Sequence, residues 1–209
     1  MAQLVSDFVK RMAPFFKALG FTRSGLKYSL AYGENRALIQ FQSSLSSTKE
    51  AAKITVNLGT WNRRVATFDD PEAANRDLVI DCCHWNTRLG NLRTPPQDEW
   101  WTIEGGPLDG TVQSAVEELL IDKGLPELQS LSADQSLRDL WLSGRAPGRT
   151  AFQRLYGLSI LLAEIGPFHR LPSVLKELGE VTRRGGMHFS VSSHERRLQA
   201  LGYWTGEST

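Results

Sequence analysis

Cysteine is scarce here: Cys82 and Cys83 are the two among 209 residues, and they are adjacent. On an extended segment neighbouring side chains point to opposite faces, so the pair is badly placed to bond to itself, and no disulfide framework is expected. Thiols used this way suit a reducing compartment, each acting as a small side chain. Long apolar runs are missing as well. No stretch reaches the roughly 18 consecutive apolar residues that would cross a bilayer. The start, Met1-Ala2-Gln3-Leu4-Val5-Ser6-Asp7, has neither the basic n-region nor the unbroken apolar segment of a secretory leader. No membrane partner is expected, and a cytoplasmic location is. An excess of charge is missing too: 24 Lys and Arg face 23 Asp and Glu, a formal net charge of +1. Such a chain creates no field that gathers phosphate backbones, so nucleic acid is not an expected partner. His84, His169, His188 and His194 are dispersed with no HExxH or HxH spacing, and neither a metal nor another cofactor is assigned.

Aromatic and apolar residues are plentiful. Six Trp and a 41% hydrophobic composition describe a chain able to bury one good core, or one core with a smaller helical appendage. Leu4, Phe8, Met12, Phe15, Phe16 and Leu19 recur at spacings of three and four before Gly20, which predicts an amphipathic helix over residues 3–19, capped by Ser6 or an earlier residue. Pro14 removes one intrahelical hydrogen bond and predicts a kink or an end near Ala13. The period then changes to two. Strands are expected over Leu26–Ala31, Arg36–Ser43, Lys53–Thr60, Ile80–Leu89 and, after the Pro95-Pro96 break, Trp100–Ile103, with a turn at Gly33-Glu34-Asn35. From Pro107 onward the pattern is helical: Leu108–Ile121, a short helix around Pro126–Leu131, Asp134–Leu142, Thr150–Ile165, Leu171–Thr182 and Val191–Leu201, with Ser143 to Gly148 as a hinge. The expected fold class is α+β, an N-terminal helix packed on an antiparallel sheet of about five strands and followed by a helical C-terminal half. Its expected domains are 1–130 and a helical extension, 131–209.

The strand residues hold the chemistry. In Arg36–Ser43, Ile39 and Phe41 oppose Gln40 and Gln42, and in Lys53–Thr60, Ile54, Val56 and Leu58 oppose Thr55, Asn57 and Gly59. Along Asp81–Gly90, Cys83, Trp85 and Leu89 oppose Cys82, His84, Asn86 and Arg88. A sheet face made only to meet water would carry Lys, Glu and Thr, whereas Gln40, Gln42, Asn57, His84, Asn86 and Arg88 are orienting groups and suggest a recessed polar groove. A plain half-exposed sheet is the alternative. Cys82 and His84 would share a strand face and could form a thiolate pair, but no third group orients them, and no catalytic residue is assigned. The Gly144–Thr150 loop lacks P-loop spacing and is read as a linker that caps the next helix. Trp100 and Trp101 must present one ring to each side, with Trp61, Trp85, Trp141 and Trp204 elsewhere; at least one of the pair is expected to close the core. Arg183-Arg184 suits a helix C-terminus, and Ser193-His194-Glu195-Arg196-Arg197 is read as a solvated helix face.

Leu19-Gly20-Phe21 after a helix, Ile39-Gln40-Phe41-Gln42-Ser43-Ser44, Ile54-Thr55-Val56-Asn57-Leu58-Gly59, Cys83-His84-Trp85-Asn86-Thr87-Arg88-Leu89-Gly90 and Trp100-Trp101 together resemble the uncharacterised bacterial family called domain of unknown function 4304. The resemblance covers residues 4–128. It implies the fold and a shared structural or binding role for Gln40, Ser43, Asn57, Gly59, Arg88 and Gly90, and it supplies no catalytic residue.

Three classes of function follow. The first expectation is a non-enzymatic binding module that recognises another protein through the polar sheet face or the neighbouring Trp residues, as an immunity-type or accessory protein; that role is an analogy of architecture. The second is a small-ligand protein or enzyme using a groove around Gln40, Asn57, His84 and Arg88, with Arg88 holding an anion and His84 moving a proton. The third is self-association through the helices after Gly148, where Leu155, Leu158, Leu161 and Leu162 form an apolar stripe.

Overall fold

The computed structural model describes residues 2–48, 50–104 and 110–202. In chain order the elements are α1 (Ala2–Arg11), α2 (Ala13–Ala18), β1 (Thr22–Ser24), β2 (Lys27–Tyr32), β3 (Asn35–Ser43), β4 (Ala51–Trp61), α3 (Arg63–Thr67), β5 (Trp85–Arg88), β6 (Trp101–Glu104), α4 (Thr111–Leu119), α5 (Leu125–Leu131), α6 (Asp134–Leu142), α7 (Ala151–Ile165), α8 (Leu171–Arg184) and α9 (Val191–Ala200). A π-helical turn, Leu120–Gly124, joins α4 to α5. The expected helix start at Leu108 and the ring of Trp204 lie outside the described residues. No helix of the described residues is long and apolar enough to cross a membrane.

The chain divides into two compact units, residues 1–61 with 77–132, and residues 62–76 with 133–209. The segment 62–76 leaves the first unit in mid-course and belongs with the C-terminal helices, a grouping that no local pattern announces.

In the first unit Pro14 acts as anticipated: the N-terminal helix breaks at Met12, and Pro14 opens α2, where a missing N–H costs nothing. Ser6 lies inside α1 rather than at its start. Val5, Phe8, Val9, Met12 and Phe16 are all buried. They cover an antiparallel sheet ordered β1-β2-β3-β4-β5, with β6 also paired to β4. Both β5 and β6 lie on the β4 edge away from β3, since β5 pairs with Asn57–Thr60 and β6 with Ala51–Ile54. The β2–β3 turn has Tyr32 opposite Asn35 with two residues between, and Gly33 takes a φ of +60° that a side chain would resist. The three-residue β1, exposed throughout, adds one strand to those anticipated, because it carries no alternation to read.

The expected strand Ile80–Leu89 is half wrong. Ile80–Cys82 is a turn of 3-10 helix, with Cys82 and Cys83 amides donating to Val79 and Ile80 carbonyls at 3.0 and 3.1 Å, and β5 begins at Trp85. Amides spent on local carbonyls cannot extend the ladder. Cys82 is exposed and Cys83 buried, so Cys82 and His84 do not share a strand face.

In the second unit α7 starts with a capping box between Thr150 and Gln153. Leu155, Leu158, Leu161 and Leu162 are buried, so the apolar stripe is interior rather than a free surface. Gly157 is obligatory for packing: a Cβ there would stand 2.7 Å from the Trp141 ring of α6. The segment 62–76 is tied in by charge. Asn62 Nδ2 donates to Asp134 at 2.6 Å, Arg64 Nε donates to the same carboxylate at 2.8 Å, and Arg64 Nη1 donates to Glu164. Bonds to Glu164 and Asp134 hold the Arg64 guanidinium well above its ordinary pKa. Arg64→Ala would leave two half-buried carboxylates without their cation. Because Arg64 is about a third exposed, the loss should be about 1–2 kcal/mol in urea unfolding, less than for a fully buried pair.

Candidate functional site

Residues directly across an antiparallel ladder share a face, so the register decides which predicted residues meet. Gln40 lies opposite Asn57, Asn57 opposite Arg88, Gln42 opposite Thr55, and Asn86 opposite Gly59. The sheet therefore brings Gln40, Gln42, Asn57, Asn86 and Arg88 together on the face away from α1. His84 is one residue before β5, its N–H donating to Thr60 carbonyl at 2.7 Å.

That face is not uniformly open. Every β4 residue from Ile54 to Trp61 is buried, Thr55 and Asn57 included. The cover over its centre is the chain itself, residues 77–83. Lys27 Nζ donates to Asp77 at 2.5 Å and to the Leu78 carbonyl at 2.9 Å, the Ile80 N–H reaches Gln40 Oε1 at 3.4 Å, and Asn86 Nδ2 reaches the Ile80 carbonyl at 3.5 Å. Gly59 makes room for it. A Cβ at Gly59 would stand 2.6 Å from Cys83 Sγ and 2.9 Å from Ile80 Cδ1, closer than packed atoms approach. Gln40 and Asn86 thus orient a loop of their own protein, the use orienting amides serve most often.

The remaining half is open. Asn57 Nδ2 donates to Gln42 Oε1 at 3.0 Å, which fixes the amide of the exposed Gln42. Across β4 from it the Arg88 guanidinium lies 5.0 Å from the Trp100 ring centroid and pairs with Asp98, to which Trp100 Nε1 also donates at 3.4 Å. The Arg88 bond holds the Asp98 carboxyl below the usual carboxylate range against desolvation, and the Trp100 bond adds a smaller pull the same way. Trp101 turns to the opposite face and is buried with Ile103, so the two neighbouring indoles divide as strand geometry requires.

A second constellation lies wholly within the second unit and was not legible as a site. A cavity of about 380 Å³ opens between α7 and α9. Phe152 and Tyr156 of α7 and Phe189 before α9 present their rings to it, with mutual centroid distances of 5.2–5.8 Å. His194 is buried on its floor, 4.6 Å from the Tyr156 ring, its Nε2 2.8 Å from Ser159 Oγ. Burial pushes His194 down to about 4. Tyr156 donates to Asp69, Arg197 donates to the other oxygen of that carboxylate, and desolvation followed by the Asp69 bond raises the Tyr156 phenol above its ordinary range. Phe152, Tyr156 and Ser159 stand four and three apart, as do His194 and Arg197 by three. Mixed charge made Ser193 to Arg197 read as a solvated face, whereas the three-residue spacing of His194 and Arg197 was the signal for a shared site. Among the described residues no group of three His, Cys, Asp or Glu comes together in a way that could hold a metal ion.

An N-terminal helical pair on an antiparallel sheet, continued by a helical second unit, places the protein in the α+β class. Residues 12–130, more than half of the chain, match the family model described as domain of unknown function (DUF4304), and the chain belongs to that family. The match begins at the α1–α2 break and runs through segment 62–76, so the family's own span includes the piece that joins the helical unit. No curated protein and no solved structure gives a match.

Proposed function

We propose that this chain is a non-enzymatic binding module of an immunity-type or accessory kind, which recognises another protein through the open half of the sheet face. The observation carrying the reading is the set Gln42, Arg88 and Trp100 on the same part of the face, an amide held by Asn57 and, across β4 from it, a guanidinium and an indole that both bond Asp98. Arg and Trp are the side chains that most often dominate protein interfaces, and here both are positioned before any partner arrives. A small ligand in the centre of the same face would first have to displace residues 77–83 from Gln40, Asn86 and Gly59, so the groove reading has less support.

The test is affinity capture from cytoplasmic extract with wild type and the double variant Gln42→Ala, Arg88→Ala, followed by titration with the purified partner. One stoichiometric protein should be retained, and the variant should bind it about thirtyfold more weakly while keeping a single cooperative melting transition. Equal retention by both forms, or no stoichiometric protein with wild type, would sink the proposal.

A further inference from the structure

We propose that the cavity between α7 and α9 is a binding site for a small, uncharged, planar aromatic molecule of one or two rings with a hydrogen-bonding edge, such as a phenol, an indole or a nucleobase. Size comes first. Its volume of about 380 Å³ is near the lower end of ligand pockets and is ample for a compound of one or two rings.

The walls decide the shape. Phe189 meets Phe152 and Tyr156 edge-on, at interplanar angles of 83° and 82°, while Phe152 and Tyr156 lie nearly parallel at 19°. Flat faces and ring edges at right angles are the surfaces on which a planar guest gains both stacked and edge-to-face contact. The residues are also of the type that lose little conformational freedom when a guest arrives.

Charge decides the rest. Asp69 is matched within the site by Arg197, whose guanidinium also donates to the Phe68 carbonyl at 2.9 Å and lies 4.7 Å from the Phe68 ring centroid. His194 stays neutral among rings, and Ser190 and Ser193 add hydroxyls at the rim. A charged guest would find no unmatched countercharge in the lining and would give up its own hydration, whereas a neutral one with a donor or acceptor edge meets hydroxyls and imidazole. This site is independent of the proposed protein-binding face, which lies in the other unit.

Indole and phenol are the probes, titrated by isothermal calorimetry and by two-dimensional NMR of the full chain, with indole-3-acetate, tryptamine and cyclohexanol as comparators. Indole should bind saturably, shift the amides of residues 188–197, and exceed each comparator by about tenfold. Phe189 stands in an irregular segment, so Phe189→Ala should keep the fold and weaken indole about tenfold. Ser193→Leu, which fills the cavity from its exposed rim, should abolish binding at unchanged melting temperature. No saturable response to either probe, or a response that both variants retain, would overturn the assignment.

Discussion

Phe16→Ala is expected to destabilise the first unit by roughly 3–5 kcal/mol, the range for an aromatic ring removed from a closed core. Phe16 is fully buried, and its ring stacks on Tyr28 at a centroid distance of 4.0 Å while meeting Phe15, Phe21 and Phe41 edge-on at 5.1, 5.6 and 6.2 Å. Four partners lose their contacts at once. They cannot close the gap easily: Phe41 is fixed by the β3–β4 ladder, and Tyr28 by both β2 and its hydroxyl, which donates to the Val9 carbonyl of α1. A cavity whose walls are held by independent elements keeps most of its volume, which places the cost in the upper part of the range. Urea unfolding monitored by the NMR signals of β3 and β4 measures it. Phe15→Ala, which shortens a half-buried ring one position away, should cost about 1 kcal/mol. Equal losses from the two variants would mean that the ring cluster is not the centre of the unit's core.

The same cluster shows why so much of the fold could be read in advance. Phe8, Met12 and Phe16 at steps of four, and Ile39/Phe41 with Ile54/Val56/Leu58 at steps of two, are local patterns whose meaning does not depend on what lies elsewhere in the chain. Pro14 and Gly33 punctuate the backbone through constraints of their own, and α6 occupies the predicted residues Asp134–Leu142. The family resemblance rested on these strand motifs, and the match over 12–130 bears it out. What failed to show were choices made between distant residues. Gly59 reads equally well as a bulge or as a landing place, and only the presence of Cys83 against it reveals why a side chain is missing. For that reason Ile80–Leu89 read as one strand although its first half folds over the sheet. Arg64, Asp134 and Glu164 are likewise ordinary surface charges until the chain brings them together. The polar sheet face sits between these cases: its residues and their common face were legible, but the loop that covers half of it was not.

Acidification should weaken the second unit through His194. The buried imidazole faces Tyr156 and Ser159 of α7, Phe68 and Asp69 after α3, Phe189, and Arg197 on its own helix. Burial is the dominant influence and lowers its pKa from 6.5 to about 4; Asp69 opposes that shift and Arg197 adds to it. The folded state therefore binds a proton less readily than the unfolded chain. Well above pH 6.5 both states hold neutral imidazole and the full stability is present. As pH falls toward 4 the unfolded chain takes up its proton first, and stability declines until the folded form titrates too. Roughly 3 kcal/mol separates the two limits, and about 2 kcal/mol of it is lost between about pH 7.5 and about pH 5. His194→Gln keeps an amide near Ser159 but cannot titrate, so its urea midpoint should fall less over that interval, by an amount equivalent to the same about 2 kcal/mol. Identical pH profiles for wild type and variant would show that His194 is not held neutral. The charge that must enter on acidification arrives at the cavity floor, where Tyr156 and Phe189 also pack. Loss of α9 from α7 and loss of indole binding should thus follow one titration, and their midpoints should coincide.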